Sequence, residues 1–103
     1  MRKVTARGFT AERAWGALDV AVIGGATVRL HWTNRPYIWH VNDGEEVFVV
    51  LDGIVDMHVR EHGTVRVVRL EPGDIFHAAA GDEHVAHPRG EARILVVEQQ
   101  GSV

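Results

Sequence analysis

Cysteine is absent from this 103-residue chain, proline occurs three times, and aromatic residues make up only 7% of it. Without cysteine there is no disulfide framework, no thiolate metal ligand and no thiol nucleophile. No apolar run is long enough to cross a bilayer as a helix. Arg2, Lys3 and Arg7 are not followed by the apolar segment a secretory signal needs, so the expectation is a cytoplasmic protein with no membrane partner. A basic excess is lacking as well: the formal net charge is -3, which argues against a nucleic-acid partner. The length allows one domain with a single modest core.

What the chain does have is valine and isoleucine in short runs punctuated by turn residues. From "VAVIGG" and "TVRLHW" through "VFVVL" to "RILVVEQ", nine such runs follow one another, broken by "GG", "NDG", "DG", "EHG", "PGD" and "GDE". "IVDMHVREHGTVRVVRL" reads as a hairpin turning at His62-Gly63, with Val55, Met57 and Val59 alternating against Asp56, His58 and Arg60. One stretch reads as helical. Residues 10–19 place Ala11, Trp15 and Leu18 at helical spacing behind Thr10, and Gly16 limits the helix to a turn or two. The pattern predicts an all-β barrel or sandwich with a short N-terminal helical turn. Residues 1–27 are expected to pack on the barrel or on a dimer partner, and residues 28–103 to form the barrel itself.

The chemistry has to come from what the strands point inward. His40 and Asn42, two residues apart on one strand, share a face. Glu46 follows the Asp43-Gly44 turn and heads the next strand, and far along the chain His84 follows another tight turn at Gly81. Two imidazoles and one carboxylate from non-adjacent strands make the ligand set of a facial metal site with open positions, suited to Fe, Mn, Ni, Co or Zn. Asn42 offers a carbonyl oxygen, a weaker donor, or a hydrogen bond to a metal-bound water. Each residue also has a plainer reading, since a lone strand histidine is usually a hydrogen-bonded core or edge residue and Glu45-Glu46 can be a solvated strand start. Alternation sends Glu45 and His87 outward and leaves His77 undecided. His31, His58 and His62 read as edge or turn residues. Tyr37 and Trp39 read as facing away from His40, and Arg29, Arg60, Arg66 and Arg69 mostly as outer-face positions.

The stretch from His40 to Gly53 resembles the first of the two motifs that define cupins. His40 takes the first histidine position and Asn42 the second, Glu46 comes after three intervening residues, and Gly53 closes the motif after six more. The second motif is matched by Gly73, Gly81 and His84, with Ala79 in place of its proline and Pro88 in place of its asparagine. The resemblance runs from about Val28 onward. It implies a small single-domain cupin, a barrel of two antiparallel sheets that commonly pairs into homodimers. In metal-binding cupins the positions of His40, Asn42, Glu46 and His84 supply the ligands. The expected function is therefore a metal-binding cupin that acts on or binds a small organic molecule, with an oxygenase-type or isomerase-type reaction open. The alternative is a non-catalytic binding or structural cupin dimer with a weak or empty metal site.

Overall fold

Alternating valines and charged residues give strands with one apolar face each, and such faces must be buried against one another. The computed structural model, which describes residues 1–101, satisfies this with two antiparallel sheets. The strands are β1 (Gly16–Ile23), β2 (Ala26–Thr33), β3 (His40–Val41), β4 (Glu46–Asp52), β5 (Val55–Glu61), β6 (Thr64–Leu70), β7 (Ile75–Ala78), β8 (Glu83–Pro88) and β9 (Ala92–Gln99). One sheet runs β1-β2-β9-β4-β7 and the other β3-β8-β5-β6. Each of the nine apolar runs in the sequence has become a strand. The chain is an all-β double-sheet barrel.

The core lies between the sheets. Phe48 and Val50 of β4, Ala92, Ile94 and Val96 of β9, and Val55, Met57 and Val59 of β5 close it with Leu70 and Ala86. Val50, Val55, Met57 and Ile94 are fully buried, each contributing about 1.5–3 kcal/mol of burial relative to an exposed side chain. The β5–β6 hairpin turns at His62 and Gly63, whose φ angles of 52° and 76° are those of a type I′ turn. Gly53, which closes the first motif, has φ 82°, and a Cβ there would run into the carbonyl of Glu91 and into Ala92. Both the turn and the close approach require glycine.

The N-terminal region corrects one expectation. Residues 10–19 are not helical; a single 3-10 turn, Ala6–Gly8, precedes them, and β1 already begins at Gly16. A helix of one or two turns meets the cost of nucleation with almost no propagation. Pairing with β2 instead satisfies the backbone from Gly16↔Trp32 to Ile23↔Ala26. The segment before β1 is tied down by arginine: Arg93 donates to the Phe9 carbonyl (2.8 Å) and Thr10 Oγ1 (3.2 Å), and Arg2 to the carbonyls of Asp19 and Val20. No helix among the described residues is long and apolar enough to cross a membrane.

Candidate metal centre

Register decides which histidines face inward. On β8, His84 pairs with the buried Val59 of β5, on the face that carries Met57 and Ala86. His87 pairs with Asp56 on the opposite face, as alternation predicts, and its ring stacks on that of His58 at 4.0 Å. His58 is a correction: β5 lies between β8 and β6, so this residue sits mid-sheet on the outer face and not at an edge or turn. His40 on the short β3 lies directly across from His84, their ring centroids 4.4 Å apart. Glu46 reaches the same point from the other sheet, on the β4 face shared with Phe48 and Val50. One potential ligand atom from each of His40, Glu46 and His84 lies within 4.8 Å of the other two.

Two loops distant in sequence are held together to make this happen. The Asn42 amide donates to the Asp82 carbonyl (2.9 Å), and the Gly81 amide donates to the Asn42 carbonyl (2.8 Å). Asp82 in turn accepts from the Ala79 amide through Oδ2 at 2.8 Å, shaping its own turn. His40 Nδ1 donates to the Ile38 carbonyl at 3.1 Å, which fixes its tautomer and leaves Nε2 as the donor atom available to a cation. Asn42 is buried on the same side, and its Oδ1 accepts from His84 Nε2 at 2.8 Å. Glu45 points outward, as its place in the alternation predicts, and its carboxylate meets His77 Nε2 at 2.9 Å.

The electrostatics of Glu46 and His84 are those of neutral groups held close together. Burial, reinforced by a hydrogen bond and charge from Glu98, pushes the Glu46 carboxyl up to about 8. Burial, with the nearby His40, brings the His84 imidazole down to about 4. The 3.4 Å approach of His84 Nε2 to Glu46 Oε1 is therefore a contact between uncharged groups at neutral pH, despite its ion-pair distance. Three buried polar atoms, Glu46 Oε1, His84 Nδ1 and Asn42 Nδ2, have no hydrogen-bond partner among the described residues. Each such atom costs about 1–3 kcal/mol. The donor set fits a divalent transition ion, which would take up the lone pair on Glu46 Oε1 and draw the carboxyl into its ionised form.

A cavity of about 270 Å³ opens beside the trio. Phe48, Met57, Ala86 and Val96 form apolar walls, and Trp15, Arg29, His31, Tyr37 and Glu98 complete the lining. Three of these correct the sequence reading. Tyr37 faces the site, its ring 5.5 Å from that of His40, because residues 34–39 carry no strand pairing and alternation has no hold on them. His31 is neither edge nor turn: β2 lies between β1 and β9, and the ring faces the cavity with Nδ1 donating to the Trp15 carbonyl at 3.1 Å. Burial holds this imidazole below its ordinary pKa. Arg29 shares that face, two residues before His31, and is not an outer-face residue. Leu30 and Trp32 mislead here, because they too are buried, on the opposite face of a strand covered on both sides.

Known proteins are similar to this chain to different degrees. Residues 33–98 match the family model described as "Cupin domain". A Bos taurus 3-hydroxyanthranilate 3,4-dioxygenase is 31% identical over 83 residues, a match that takes in 81% of this chain but only 27% of that protein. The chain thus spans about a quarter of that relative's length. The fold is similar to that of a cupin-2 domain protein from Shewanella frigidimarina, with TM-score 0.78 and 22% identity over 87% of this chain and 85% of that one. It is similar to nearly the same degree to a protein from Thermus thermophilus, with TM-score 0.77 and 22% identity over 96% of this chain and 97% of that one. With both motifs on the two facing sheets and the family model matching most of its length, this chain belongs to the cupin family.

Proposed function

We propose that this cupin is metal-dependent, with His40, Glu46 and His84 holding one divalent ion of Fe, Mn, Ni, Co or Zn, and that it turns over a small organic molecule in the adjacent cavity. The observation that carries the reading is the convergence of three ligand atoms within 4.8 Å, one of the residues being a buried glutamate with a carboxylate oxygen that has no hydrogen-bond partner among the described residues. An oxygenase-type reaction is the form that the similarity to 3-hydroxyanthranilate 3,4-dioxygenase favours over an isomerase-type one. A bound ion of this kind supplies Lewis-acid polarisation and open coordination positions for substrate or dioxygen. The chain's own residues do the rest. The Ile38 carbonyl orients His40, and Phe48, Met57, Ala86 and Val96 exclude water from the reacting face. Glu98, across the ladder from Glu46, adds to the burial that keeps Glu46 protonated until an ion arrives.

Assembly and location complete the proposal. Val41, Val65, Val67 and Ile38 are exposed on or beside the four-stranded sheet, an apolar surface suited to a second copy of the chain in a homodimer. Residues 1–27, of which β1 and the start of β2 are themselves part of the five-stranded sheet, would then pack on the rest of the barrel or on the partner, in the cytoplasm. One observation favours a second reading, a metal-free binding module: Asn42 already satisfies His84 Nε2 from within. Elemental analysis of the purified protein decides between them. About one equivalent of transition metal per chain supports the enzyme reading, and a metal-free protein that resists loading supports the binding module.

A further inference from the structure

Among the described residues Arg29 is the one arginine or lysine on the wall of the cavity, and its neighbours leave most of its guanidinium unused. Its Nε pairs with Asp19 Oδ1 at 2.9 Å, while among the described residues no side chain meets its two terminal amino groups. Glu98, on the neighbouring strand and also lining the cavity, lies across the ladder from Glu46 on one side and from Thr27 on the other. Asp19 is 81% accessible, so the ion pair is a solvent-screened one, and the Arg29 side chain itself is 45% accessible. Register places Arg29 opposite Val96, and Val96 opposite Phe48, so Arg29 lies two strands from β4, which carries Glu46 at its head. At about 4.8 Å per strand, the Arg29 and Phe48 backbones are about 10 Å apart, with Glu46 two residues away from Phe48 along β4.

Two more groups shape what can lie between them. Trp15 has φ 63°, a left-handed conformation that a bulky side chain adopts only when its surroundings hold it there. Its indole Nε1 donates to the Arg35 carbonyl at 2.9 Å, and its own carbonyl accepts from His31 Nδ1 at 3.1 Å. The second bond leaves Nε2 of His31, a cavity-lining residue, as an acceptor. The Trp15 and Tyr37 rings, edge to face at 5.3 Å, add flat apolar surface nearby.

We infer that Arg29 is the specificity-determining residue for an anion, and that the cavity takes a small planar carboxylic acid whose carboxylate lies on the Arg29 amino groups and whose hydroxyl or amino hydrogen is accepted by His31. The inference rests on the cavity being the substrate site proposed above. A terminal guanidinium edge matches a carboxylate with two parallel N–H donors, and the flat Trp15 and Tyr37 rings on the cavity wall suit one aromatic or conjugated unit.

Isothermal titration calorimetry with salicylate and with catechol, which lacks the carboxylate, tests this on the zinc-replete and on the chelator-treated full-length protein. Arg29→Gln is expected to weaken salicylate roughly 10- to 100-fold, the size of one charge-assisted pair, and to leave catechol unchanged. Arg29→Lys should recover part of the loss, and Asp19→Asn should tighten salicylate up to about fivefold by removing the exposed counter-charge. Failure of wild-type protein to bind salicylate, equal binding by Arg29→Gln, or weaker binding by Asp19→Asn overturns the inference. Metal content of the same samples separates the two proposals: a wild-type chain that binds no zinc, yet loses salicylate on Arg29→Gln, keeps the anion subsite and removes the metal reading.

Discussion

His84 Nε2 donates to Asn42 Oδ1 across 2.8 Å, joining the two motif loops through the position where cupins otherwise carry a second histidine. The asparagine is buried and its Nδ2 has no partner among the described residues, so it serves His84 with half of its amide only. Asn42→Ala strands a buried N–H and is expected to lower the stability of the metal-free protein by about 1–3 kcal/mol in urea denaturation. Asn42→His puts an imidazole at the same point and is expected to tighten metal binding by at least about tenfold. Unchanged affinity in Asn42→His would mean that position 42 does not face the ion.

The raised carboxyl of Glu46 makes metal-free stability depend on pH in a defined direction. With a folded pKa near 8 against an ordinary 4.5, Glu46 disfavours the folded state increasingly as pH rises between those values. His84, lowered from 6.5 to about 4, disfavours it increasingly as pH falls between those. Between pH 4.5 and 6.5 the folded and unfolded states bind the same number of protons at these two sites, so their joint effect is flat. From pH 6.5 to 8 only Glu46 acts, and stability falls by roughly 1–2 kcal/mol at about 1.4 kcal/mol per proton per unit. Thermal melts of chelated protein at pH 6.5 and 8 check this. In Glu46→Gln the fall should vanish, and an equal fall in that variant would place its origin elsewhere.

Metal binding should expel a proton for the same reason. At pH 7 Glu46 carries one, His84 carries no excess one, and a ligating carboxylate must be ionised. Calorimetric zinc titrations in buffers of different ionisation enthalpy should report about one proton released per ion, with affinity falling as pH drops from 8 towards 5. Binding with no proton release would contradict Glu46 as a ligand.

The proposed homodimer makes a prediction on β6, where Val65 and Val67 are exposed beside Arg60 and His58 of β5. Light scattering should give twice the 11.4 kDa chain mass, and the Val65→Glu, Val67→Glu double variant should give a single chain. A wild-type protein that scatters as one chain at micromolar concentration ends the proposal.

How much of this the sequence revealed depends on which physical signal each residue carried. Val55, Met57 and Val59 against Asp56, His58 and Arg60 placed β5 correctly, because period-2 burial is a local signal. His62-Gly63 marked its turn, because a type I′ geometry needs positive φ. His40, Glu46 and His84 were legible through their spacing to turn glycines, and the structure brings their ligand atoms together. Residues 10–19 misled because helical spacing in a short segment competes with strand pairing, which sequence periodicity does not register. Arg29 and His31 were hidden by Leu30 and Trp32: where both faces of a strand are covered, alternation gives no direction. Tyr37 lies outside any ladder, so its approach to His40 follows from the path of the loop, held by its amide on the Ala86 carbonyl at 3.1 Å.

The most direct test of the whole account is transition-metal content, measured by mass spectrometry on wild-type protein and three variants purified in parallel. The account predicts close to one equivalent in the wild type and in Glu45→Gln, whose carboxylate faces outward to His77, and loss of most metal in Glu46→Gln and His84→Ala with the fold intact by circular dichroism. Equal metal in Glu45→Gln and Glu46→Gln would contradict it.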